Sequence, residues 1–586
     1  MMNRFSLDLS FQPLTSGEDS PLAIDSENLH PSIRSRKLGH CKVTLVGNPI
    51  VGSCRDDERV FNCFKTCDGD WAQFARALNG SFLVIVEDLV TRRVIVINDR
   101  FASLAIYWSW VNGRFDASSS FKGLMQRQGT KGVRINAEEI FTFLAMRRLF
   151  AESTFVDGIQ YLRSASLLEV DSNGARISTY WHPDFHATPP PDRSLPNTIA
   201  ERLRAAVAMH MSDDRKFGLL LSGGLDSRAL LAASPRPPVC FTTCLAENNE
   251  SAVAAEVARR AGAEFHFIPR PVDLYDTVLD DASFLAGMQI YAEAQFMGYG
   301  EYIGGRANTL MIGLGLDVFF GGLYLPKSPV RILGREGFHH CLKPLPADIA
   351  GFYIDNVKYR LKTSDPFSVV RPEIRSRMKD ALRHRIETVL KRGQDLGARG
   401  YQLWEYLHFH NFSRHYSFPM MASIRTFADC RAPALENDLF DLALAMTPRS
   451  RLDGTAYQDA ITLLAPALMA VRNANTNFPA AWSLRRQTVA KVGNRFGQLV
   501  GAKVIRSPAW RDRSWPLPRA SLDACPTLRD RARHLPNSRL LGQTELIDPV
   551  RLARVLDEHR LGSSDHTVLI NLLLTLDSVF NVQGND

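Results

Sequence analysis

The sequence lacks any run of about 18 apolar residues, the length that a helix needs to cross a membrane. Its N-terminal stretch, MMNRFSLDLSFQPLT, also lacks an apolar segment of signal-peptide length. Cysteine is scarce and odd in number, with nine residues spread over 586 positions, which is typical of reduced thiols rather than of a disulfide framework. We therefore expect a cytoplasmic protein that does not act at a membrane.

Long basic runs and complete metal-ligand patterns are also missing. The net charge of +8 is modest for 586 residues, and no RNA-binding signature occurs, so no nucleic-acid partner is expected. Cys63 and Cys67 have a spacing found in metal sites, but no second cysteine or histidine pair completes a zinc site. The chain is too long for one hydrophobic core, so two or more domains are expected.

The stretch GLLLSGGLDSRALLAA, residues 218–233, has the pattern of a buried strand, a glycine turn and a helix. Gly223 and Gly224 allow a tight turn and the close approach of a ligand to the backbone. Ser222, Ser227 and the first amides of the helix offer hydrogen-bond donors where the helix dipole is positive. The stretch therefore predicts a phosphate-binding loop.

No lysine follows these glycines, so the loop is not of the Walker A type, and transfer of a γ-phosphoryl group is not predicted. Asp226 lies inside the anion site, which is reasonable only if a cation bridges its carboxylate to the phosphates. We therefore expect Mg²⁺ together with a nucleotide. An ordinary glycine turn between a strand and a helix is the alternative.

A second stretch, TLMIGLGLDVFFGGLY at residues 309–324, has the same order of apolar strand, glycines and aspartate. Two such loops at strand ends would let Asp226 and Asp317 hold Mg²⁺ from both sides, with phosphate oxygens and water in its other positions. The alternative for Asp317 is a turn or N-cap residue.

The order of predicted elements indicates two domains. Residues 40–110 read as short strands with short connections, which favours an antiparallel sheet. After a proline-rich segment, strands alternate with helices, which predicts a doubly wound parallel sheet with its ligand at the carboxyl ends of the strands; from about residue 400 the pattern is helical. We therefore divide the chain into a domain at 1–185, a linker at 186–196 and a domain at 197–586.

Several motifs resemble those of the asparagine synthetase superfamily. The S-G-G-x-D-S loop at 222–227 is similar to that of the ATP pyrophosphatases, and IGLGLDVFFGGL (312–323) and ADCRAPALE (428–436) resemble later synthetase motifs. The resemblance implies an α/β protein with an N-terminal antiparallel-sheet, glutaminase-like (Ntn-type) domain and a parallel-sheet ATP pyrophosphatase domain with a helical C-terminal part. Segments that resemble the glutaminase-type domain are residues 77–88, 98–108 and 119–125.

Two departures narrow the resemblance. Glutamine hydrolysis in this family uses an N-terminal cysteine, whereas this sequence begins Met-Met-Asn and its first cysteine is Cys41, so we expect no ammonia release from glutamine. Leu314 replaces a motif glutamate, which disfavours ammonia as the nucleophile, and it is not the tyrosine of β-lactam synthetases. The chain most resembles the lasso peptide cyclases. These enzymes use ATP to adenylate an Asp or Glu side chain of a precursor core peptide, and the N-terminal amine of the peptide then closes a macrolactam.

The resemblance also implies residue roles. ATP and Mg²⁺ are the implied cofactors, and the adenine is expected near Thr242 and Thr243. Asp429 is the candidate for orienting or deprotonating the amine, or else it forms a structural ion pair with Arg425 or Arg431. Arg472 is the candidate pyrophosphate clamp. The implied nucleotide contacts are Leu220, Ser222, Gly223, Gly224, Asp226, Ser227, Thr242, Thr243, Ile312 and Gly313, and the implied metal ligands are Asp226 and Asp317.

Two further features keep alternatives open. The apolar residues Leu314, Leu316, Val318 and Phe319 suit either a peptide-lined pocket or an ordinary core strand. Residues 484–540 are rich in arginine and lysine, which predicts a solvated face or a docking surface for an acidic partner such as a leader-binding, leader-removing protein. An amide ligase for a small metabolite and a non-catalytic scaffold are the rival functions, and the two retained aspartates argue against the scaffold.

Overall fold

The protein is described by a computed structural model that covers residues 6–11, 22–27, 33–128, 134–332, 334–357, 365–414, 418–499, 517–538 and 544–580. Part of the basic segment at 484–540 therefore lies outside the described residues. No described helix is both long and apolar enough to cross a membrane.

The strands, in chain order, are β1 (Ser6–Phe11), β2 (Leu22–Glu27), β3 (Arg34–Leu38), β4 (Cys41–Gly47), β5 (Ile50–Val51), β6 (Leu78–Asn79), β7 (Phe82–Asp88), β8 (Arg93–Asn98), β9 (Tyr107–Val111), β10 (Arg114–Ser118), β11 (Gln160–Tyr161), β12 (Ser166–Asp171), β13 (Gly174–Thr179), β14 (Phe217–Leu220), β15 (Val239–Cys244), β16 (Phe265–Pro269), β17 (Thr309–Met311), β18 (Lys327–Ile332), β19 (Arg335–Leu342) and β20 (Asp429–Arg431).

The α-helices are α1 (Asp57–Thr66), α2 (Trp71–Ala77), α3 (Phe121–Gln128), α4 (Ala137–Met146), α5 (Leu195–His210), α6 (Asp226–Ala233), α7 (Asn249–Arg260), α8 (Leu274–Ala286), α9 (Gly300–Ile303), α10 (Leu316–Phe319), α11 (Ile349–Val357), α12 (Arg375–Asp395), α13 (Tyr401–Phe409), α14 (Phe418–Ile424), α15 (Asn437–Ala445), α16 (Pro448–Arg451), α17 (Thr455–Leu464), α18 (Pro466–Met469), α19 (Leu484–Leu499), α20 (Pro518–Ala524), α21 (Pro526–His534), α22 (Pro549–Arg560) and α23 (Thr567–Phe580).

Two large antiparallel sheets and the two-stranded sheet of β5 and β6 form the N-terminal half, in agreement with the predicted antiparallel arrangement. The strand orders of the two large sheets are β11-β9-β10-β1-β2 and β13-β12-β8-β7-β4-β3. Every residue of β7 is buried because alternate side chains enter different cores: Leu83 and Ile85 pack between the sheets, whereas Val84 and Val86 pack towards α1 and α2. These two helices interrupt the strands of residues 40–110 and were not predicted from the sequence.

A five-stranded parallel sheet organises the second half, again as predicted. Its order is β16-β15-β14-β17-β20, so β14 lies at the centre and the chain continues to one side of it and later to the other. Such a reversal opens a crevice at the carboxyl ends of the central strands, where α/β sheets bind their ligands. The loops after β14 and β17, which carry Asp226 and Asp317, meet at this crevice.

The C-terminal part is helical, in agreement with the sequence pattern. Helices α12, α13 and α23 share one hydrophobic core with α4 of the N-terminal half. The first helix of the second half, α5, begins at Leu195, inside the segment predicted as a linker, with Pro196 in its first turn. Contacts such as the ion pair between Arg100 and Asp441 (2.8 Å) join the two halves.

Candidate active site

The glycine loop, residues 222–227, turns tightly between β14 and α6. The backbone N–H of Ser222 donates to Oγ of Ser227 (2.9 Å), and the N–H of Gly224 donates to Oγ of Ser222 (3.2 Å). A side chain at Gly223 would overlap Cβ of Ala474, so the segment around residue 474 requires glycine there. The loop therefore has the compact strand-turn-helix form that the sequence predicted, with α6 beginning at Asp226.

Asp226 and Asp317 lie close enough to repel each other. Burial raises the pKa of the Asp226 carboxyl well above its usual range, and the charge of Asp317 raises it further. Burial also raises the pKa of Asp317. Gly313 packs directly on Asp226, since a Cβ at Gly313 would lie 2.8 Å from Cβ of Asp226. Two partly buried carboxylates held together in this way fit a cation between them.

Two further residues complete the surroundings of the carboxylates. The phenol of Tyr457 donates a hydrogen bond to Oδ1 of Asp226 (3.1 Å). Lys327 opens β18, where burial lowers the pKa of its ammonium group against the attraction of Asp453 and Asp317. Neither residue was predicted from the sequence. Lys327 closely follows the glycines of the second motif, which could have indicated a role beside the phosphates, whereas no local pattern distinguishes Tyr457.

One cavity of about 310 Å³ contains both aspartates. Gly223 and Gly224 shape the loop beneath it without lining it. The predicted residues that line the cavity are Leu220, Ser222, Asp226, Ser227, Thr242, Thr243, Ile312, Gly313 and Asp317. Further lining residues, which the sequence did not single out, are Leu221, Phe241, Glu250, Gln295, Phe296, Gly315, Leu323 and Met420.

The apolar replacements in the second motif divide between pocket and core. Leu314 and Val318 line the cavity. Leu316 and Phe319 are fully buried, and Phe319 packs against a cluster of aromatic rings that includes Phe440, at a centroid distance of 5.1 Å. The core interpretation therefore applies to Leu316 and Phe319, whereas Leu314 and Val318 line a cavity whose occupant stays a prediction.

Comparison with protein families assigns both halves of the chain. Residues 198–460 match the asparagine synthase model, and this range includes the glycine loop, Asp317 and Asp429. This part of the chain is therefore similar to asparagine synthase domains. Residues 51–181 match the glutamine amidotransferase domain model, which agrees with the antiparallel sheets of the N-terminal half.

Individual relatives share only part of their length with this chain. A Mycobacterium tuberculosis protein described as a glutamine-hydrolyzing asparagine synthetase is 25% identical over 310 residues, which are 47% of this chain and 45% of that protein. Glutamine-hydrolyzing asparagine synthetase 1 of Bacillus subtilis is 21% identical over 293 residues, with the same two coverages. The chain thus spans about half the length of the curated relatives it matches.

Thr242 and Thr243 lie at the end of β15, on one wall of the asparagine synthase cavity. Oγ1 of Thr242 donates to the carbonyl oxygen of Leu221 (2.6 Å), and Oγ1 of Thr243 donates to the phenolic oxygen of Tyr299 (2.9 Å). Both hydroxyls are therefore occupied within the protein. Contacts of these residues with an adenine would therefore come from their backbone groups.

Arg472 lies outside the cavity lining of the asparagine synthase domain. It is exposed, and its carbonyl oxygen accepts a hydrogen bond from the buried Arg228 (3.0 Å). Arg228 also donates to the carbonyl oxygens of Leu468 and Val471, which ties the segment after α18 to the glycine loop. The clamp role of Arg472 stays a prediction. Lys327 also lies outside the cavity lining, but its charge acts on Asp317, which makes it a second candidate for that role.

Asp429 occupies a different end of the sheet from the two cavity aspartates. It begins β20 and pairs in register with Thr309, the first residue of β17, whereas Asp317 follows the end of β17. Its carboxylate accepts hydrogen bonds from Nδ2 of Asn48 (2.7 Å) and Nε of Arg431 (3.1 Å). Burial would raise its pKa, but Arg431 and the neighbouring donors lower it overall. Of the two roles expected for Asp429, the geometry favours the structural ion pair with Arg431.

Replacing Asp429 by asparagine is expected to affect stability more than catalysis. Breaking one arm of a buried ion pair should lower the free energy of unfolding by about 2–3 kcal/mol, because Arg431 then loses a charged partner. The rate per folded molecule should change by less than about threefold, since no reacting group is altered. Thermal unfolding and the rate of exchange between pyrophosphate and ATP would measure the two effects. A large loss of rate in a stably folded variant would restore the catalytic interpretation.

The residues at the cavity fit Mg²⁺ better than a metal with a full protein cage. The described residues contain no group of three or more His, Cys, Asp or Glu side chains placed to hold a metal. Cys63 and Cys67 therefore belong to no such group in the described structure. Mg²⁺ commonly takes one or two carboxylates and completes its shell with phosphate oxygens and water. Asp226 and Asp317 supply that number of carboxylates beside a loop suited to phosphates.

Proposed function

We propose that this protein is an ATP-dependent, AMP-forming amide ligase that closes a macrolactam in a peptide, as the lasso peptide cyclases do. The observation that carries the proposal is the composition of one cavity. Its floor holds the glycine loop with Asp226 and Asp317, while apolar side chains such as Leu314, Val318 and Met420 form its other walls. The first set suits a metal-bound nucleotide, and the second suits a peptide rather than ammonia or a charged metabolite.

The glycine loop and α6 would bind the pyrophosphate portion of ATP. Backbone amides of the loop and the positive end of the helix dipole attract phosphate oxygens. Bound Mg²⁺ would neutralise phosphate charge, and Asp226 and Asp317 would hold it. Tyr457 keeps Asp226 in place through its hydrogen bond. This arrangement leaves the α-phosphorus open to a carboxylate that approaches from the apolar side.

The reaction then has two steps, and each step forms one bond and breaks another. A side-chain carboxylate oxygen of the peptide forms a bond to the α-phosphorus while pyrophosphate leaves. The N-terminal amine of the same peptide attacks the activated carbonyl carbon, AMP leaves and the amine loses a proton. An α-amine has a pKa of about 8, so about a tenth of the amine is neutral at pH 7. Its attack therefore requires little help from a general base. Apolar walls exclude water, which would otherwise hydrolyse the adenylate.

The test uses synthetic peptides that begin with glycine and carry an acidic residue shortly afterwards. With such a peptide the protein should exchange labelled pyrophosphate into ATP, form AMP rather than ADP, and reduce the peptide mass by one water. An N-acetylated peptide should support exchange without loss of water, because adenylation remains and the nucleophile is removed. A peptide with Asn or Gln at the acidic position should support neither.

The same exchange assay with other acids distinguishes the rival functions. Exchange with a free amino acid or another small acid, and with no peptide, would identify a ligase for a small metabolite. No exchange with any acid would favour a scaffold without turnover. A leader-binding, leader-removing protein is the partner that the proposed reaction needs, because the cyclising amine must first be freed from a longer precursor.

A further inference from the structure

A second cavity, of about 500 Å³, lies in the C-terminal helical part and shares no lining residue with the first. Its walls come from α20, α21, α22 and α23 and the turn after α21. We call it the C-terminal groove. It is lined by Arg519, Leu522, Asp523, Arg529, Ala532, Arg533, Pro536, Ala553, Leu556, Asp557, His559, Arg560 and Ile570.

The groove has a surplus of positive charge on the face of α21. Its two acids are used locally: Asp523 pairs with Arg519 (3.6 Å), and Asp557 pairs with Arg560 (3.1 Å). Arg529 and Arg533 stand one helical turn apart on the same face of α21, and both are exposed. Within the described ranges neither has a carboxylate partner. The two guanidinium groups can therefore receive an anionic ligand.

His559 supplies a buried donor inside the groove. Its side chain is 8% exposed, and its Nδ1 accepts a hydrogen bond from the backbone N–H of His566 (3.2 Å). In the neutral ring the proton then resides on Nε2. Nε2 is buried and has no hydrogen-bond partner in the described structure. Because the surrounding protein covers Nε2, a ligand oxygen or a water could accept its hydrogen only after the neighbouring side chains had shifted.

The remaining lining favours a peptide over a polyphosphate. Leu522, Leu556 and Ile570 give the groove an apolar floor between its charges. The carboxylates of Asp523 and Asp557 would repel a highly charged anion, whereas a peptide segment can place single acidic side chains at the two free arginines. Apolar side chains of the same segment would cover the floor.

We propose that the C-terminal groove binds an acidic, leucine-rich segment of the peptide substrate, away from the carboxylate that reacts. This assignment of the occupant rests on the proposed peptide ligase function. Acidic side chains pair with Arg529 and Arg533, and leucines contact the floor. Contacts remote from the reacting atoms hold a flexible peptide in place while its carboxylate is activated.

Fluorescence anisotropy of the full-length protein with fluorescein-Leu-Glu-Glu-Leu-Leu-amide tests the groove directly. Arg529→Gln/Arg533→Gln should weaken binding about tenfold or more, because two charge-assisted hydrogen bonds are lost. The control Arg377→Gln/Arg449→Gln removes the same charge from two exposed arginines elsewhere and should leave the affinity within about twofold. The Gln-Gln form of the peptide should bind the unmodified protein about as weakly as the first double variant binds the acidic peptide.

Equal affinity of the two double variants, or of the Glu and Gln peptides, would overturn the groove proposal. The catalytic proposal is tested separately, since exchange with short core peptides does not need an acidic extension. Tight, arginine-dependent binding of the probe without any exchange activity would overturn the assignment to a substrate. In an active enzyme, attaching the acidic segment to a cyclising peptide should lower KM about tenfold with little change in kcat, and the groove variant should cancel this gain.

Discussion

Replacing Asp226 by asparagine is expected to reduce the exchange of pyrophosphate into ATP by about a thousandfold or more. Asp226 begins α6 at the glycine loop, where burial and then the charge of Asp317 raise its pKa. The asparagine amide has the same shape but no negative charge to balance that of Mg²⁺. Only one of the two proposed carboxylate ligands, that of Asp317, would then remain. Asp317→Asn should have an effect of the same order for the same reason. Labelled pyrophosphate exchange measures both.

The folded state of these variants is expected to survive. Without nucleotide and metal, the two carboxylates repel each other in a buried site, so Asp226→Asn should leave the thermal midpoint unchanged or raise it. Asp214 is exposed and lies outside the cavity, which makes Asp214→Asn a matched control that should retain full exchange. Near-normal exchange in Asp226→Asn, or an exchange rate independent of Mg²⁺, would contradict the shared-metal account.

Features set by short stretches of sequence were predictable. The glycine loop required only the succession of apolar strand, Ser-Gly-Gly, Asp-Ser and helix, because a strand end, a tight turn and a helix start all lie within residues 218–233. The parallel sheet followed from the alternation of such units. Once both strands belonged to one sheet, the meeting of Asp226 and Asp317 at its carboxyl edge followed from topology alone.

Features set by contacts between distant segments were not predictable in the same way. Tyr457 reaches Asp226 from α17, more than two hundred residues later, and no local pattern marks it. Asp429 was placed in a motif by its neighbours in sequence, but its position at the start of β20 directs it towards Asn48 of the N-terminal half. A motif assigns residue order, whereas the direction of a side chain depends on where its strand begins.

The N-terminal half of the chain makes polar contacts with the second half. Asn48 donates to Asp429, and the amide side chain of Asn437 donates to the carbonyl oxygen of Leu78 (2.9 Å). Cys41 lies in the buried strand β4, where burial raises the pKa of its thiol, so it is not placed as a nucleophile. In the described residues this half therefore contacts the second half through polar groups as well as through shared hydrophobic cores.

Lys327 is expected to be the most sensitive residue of the site after the two aspartates. Lys327→Met should lower the rate of pyrophosphate exchange by about a hundredfold, because a cation next to Asp317 would stabilise the charge that develops on the departing pyrophosphate. Methionine keeps most of the apolar stem, so the packing of β18 should be retained. The KM for ATP should change less than kcat, since the charge on the leaving group is greatest in the transition state.

Lys491 provides the matched control for this prediction. Its ammonium group contacts the same hairpin, at the carbonyl oxygen of Glu336 (3.1 Å), whereas the lysine charge that acts on Asp317 is that of Lys327. Lys491→Met should therefore retain exchange within about twofold. The same comparison decides between the two clamp candidates. If Arg472→Met lost activity while Lys327→Met did not, the clamp would be Arg472, reached from the exposed segment after α18, and Lys327 would serve only the ion network with Asp453.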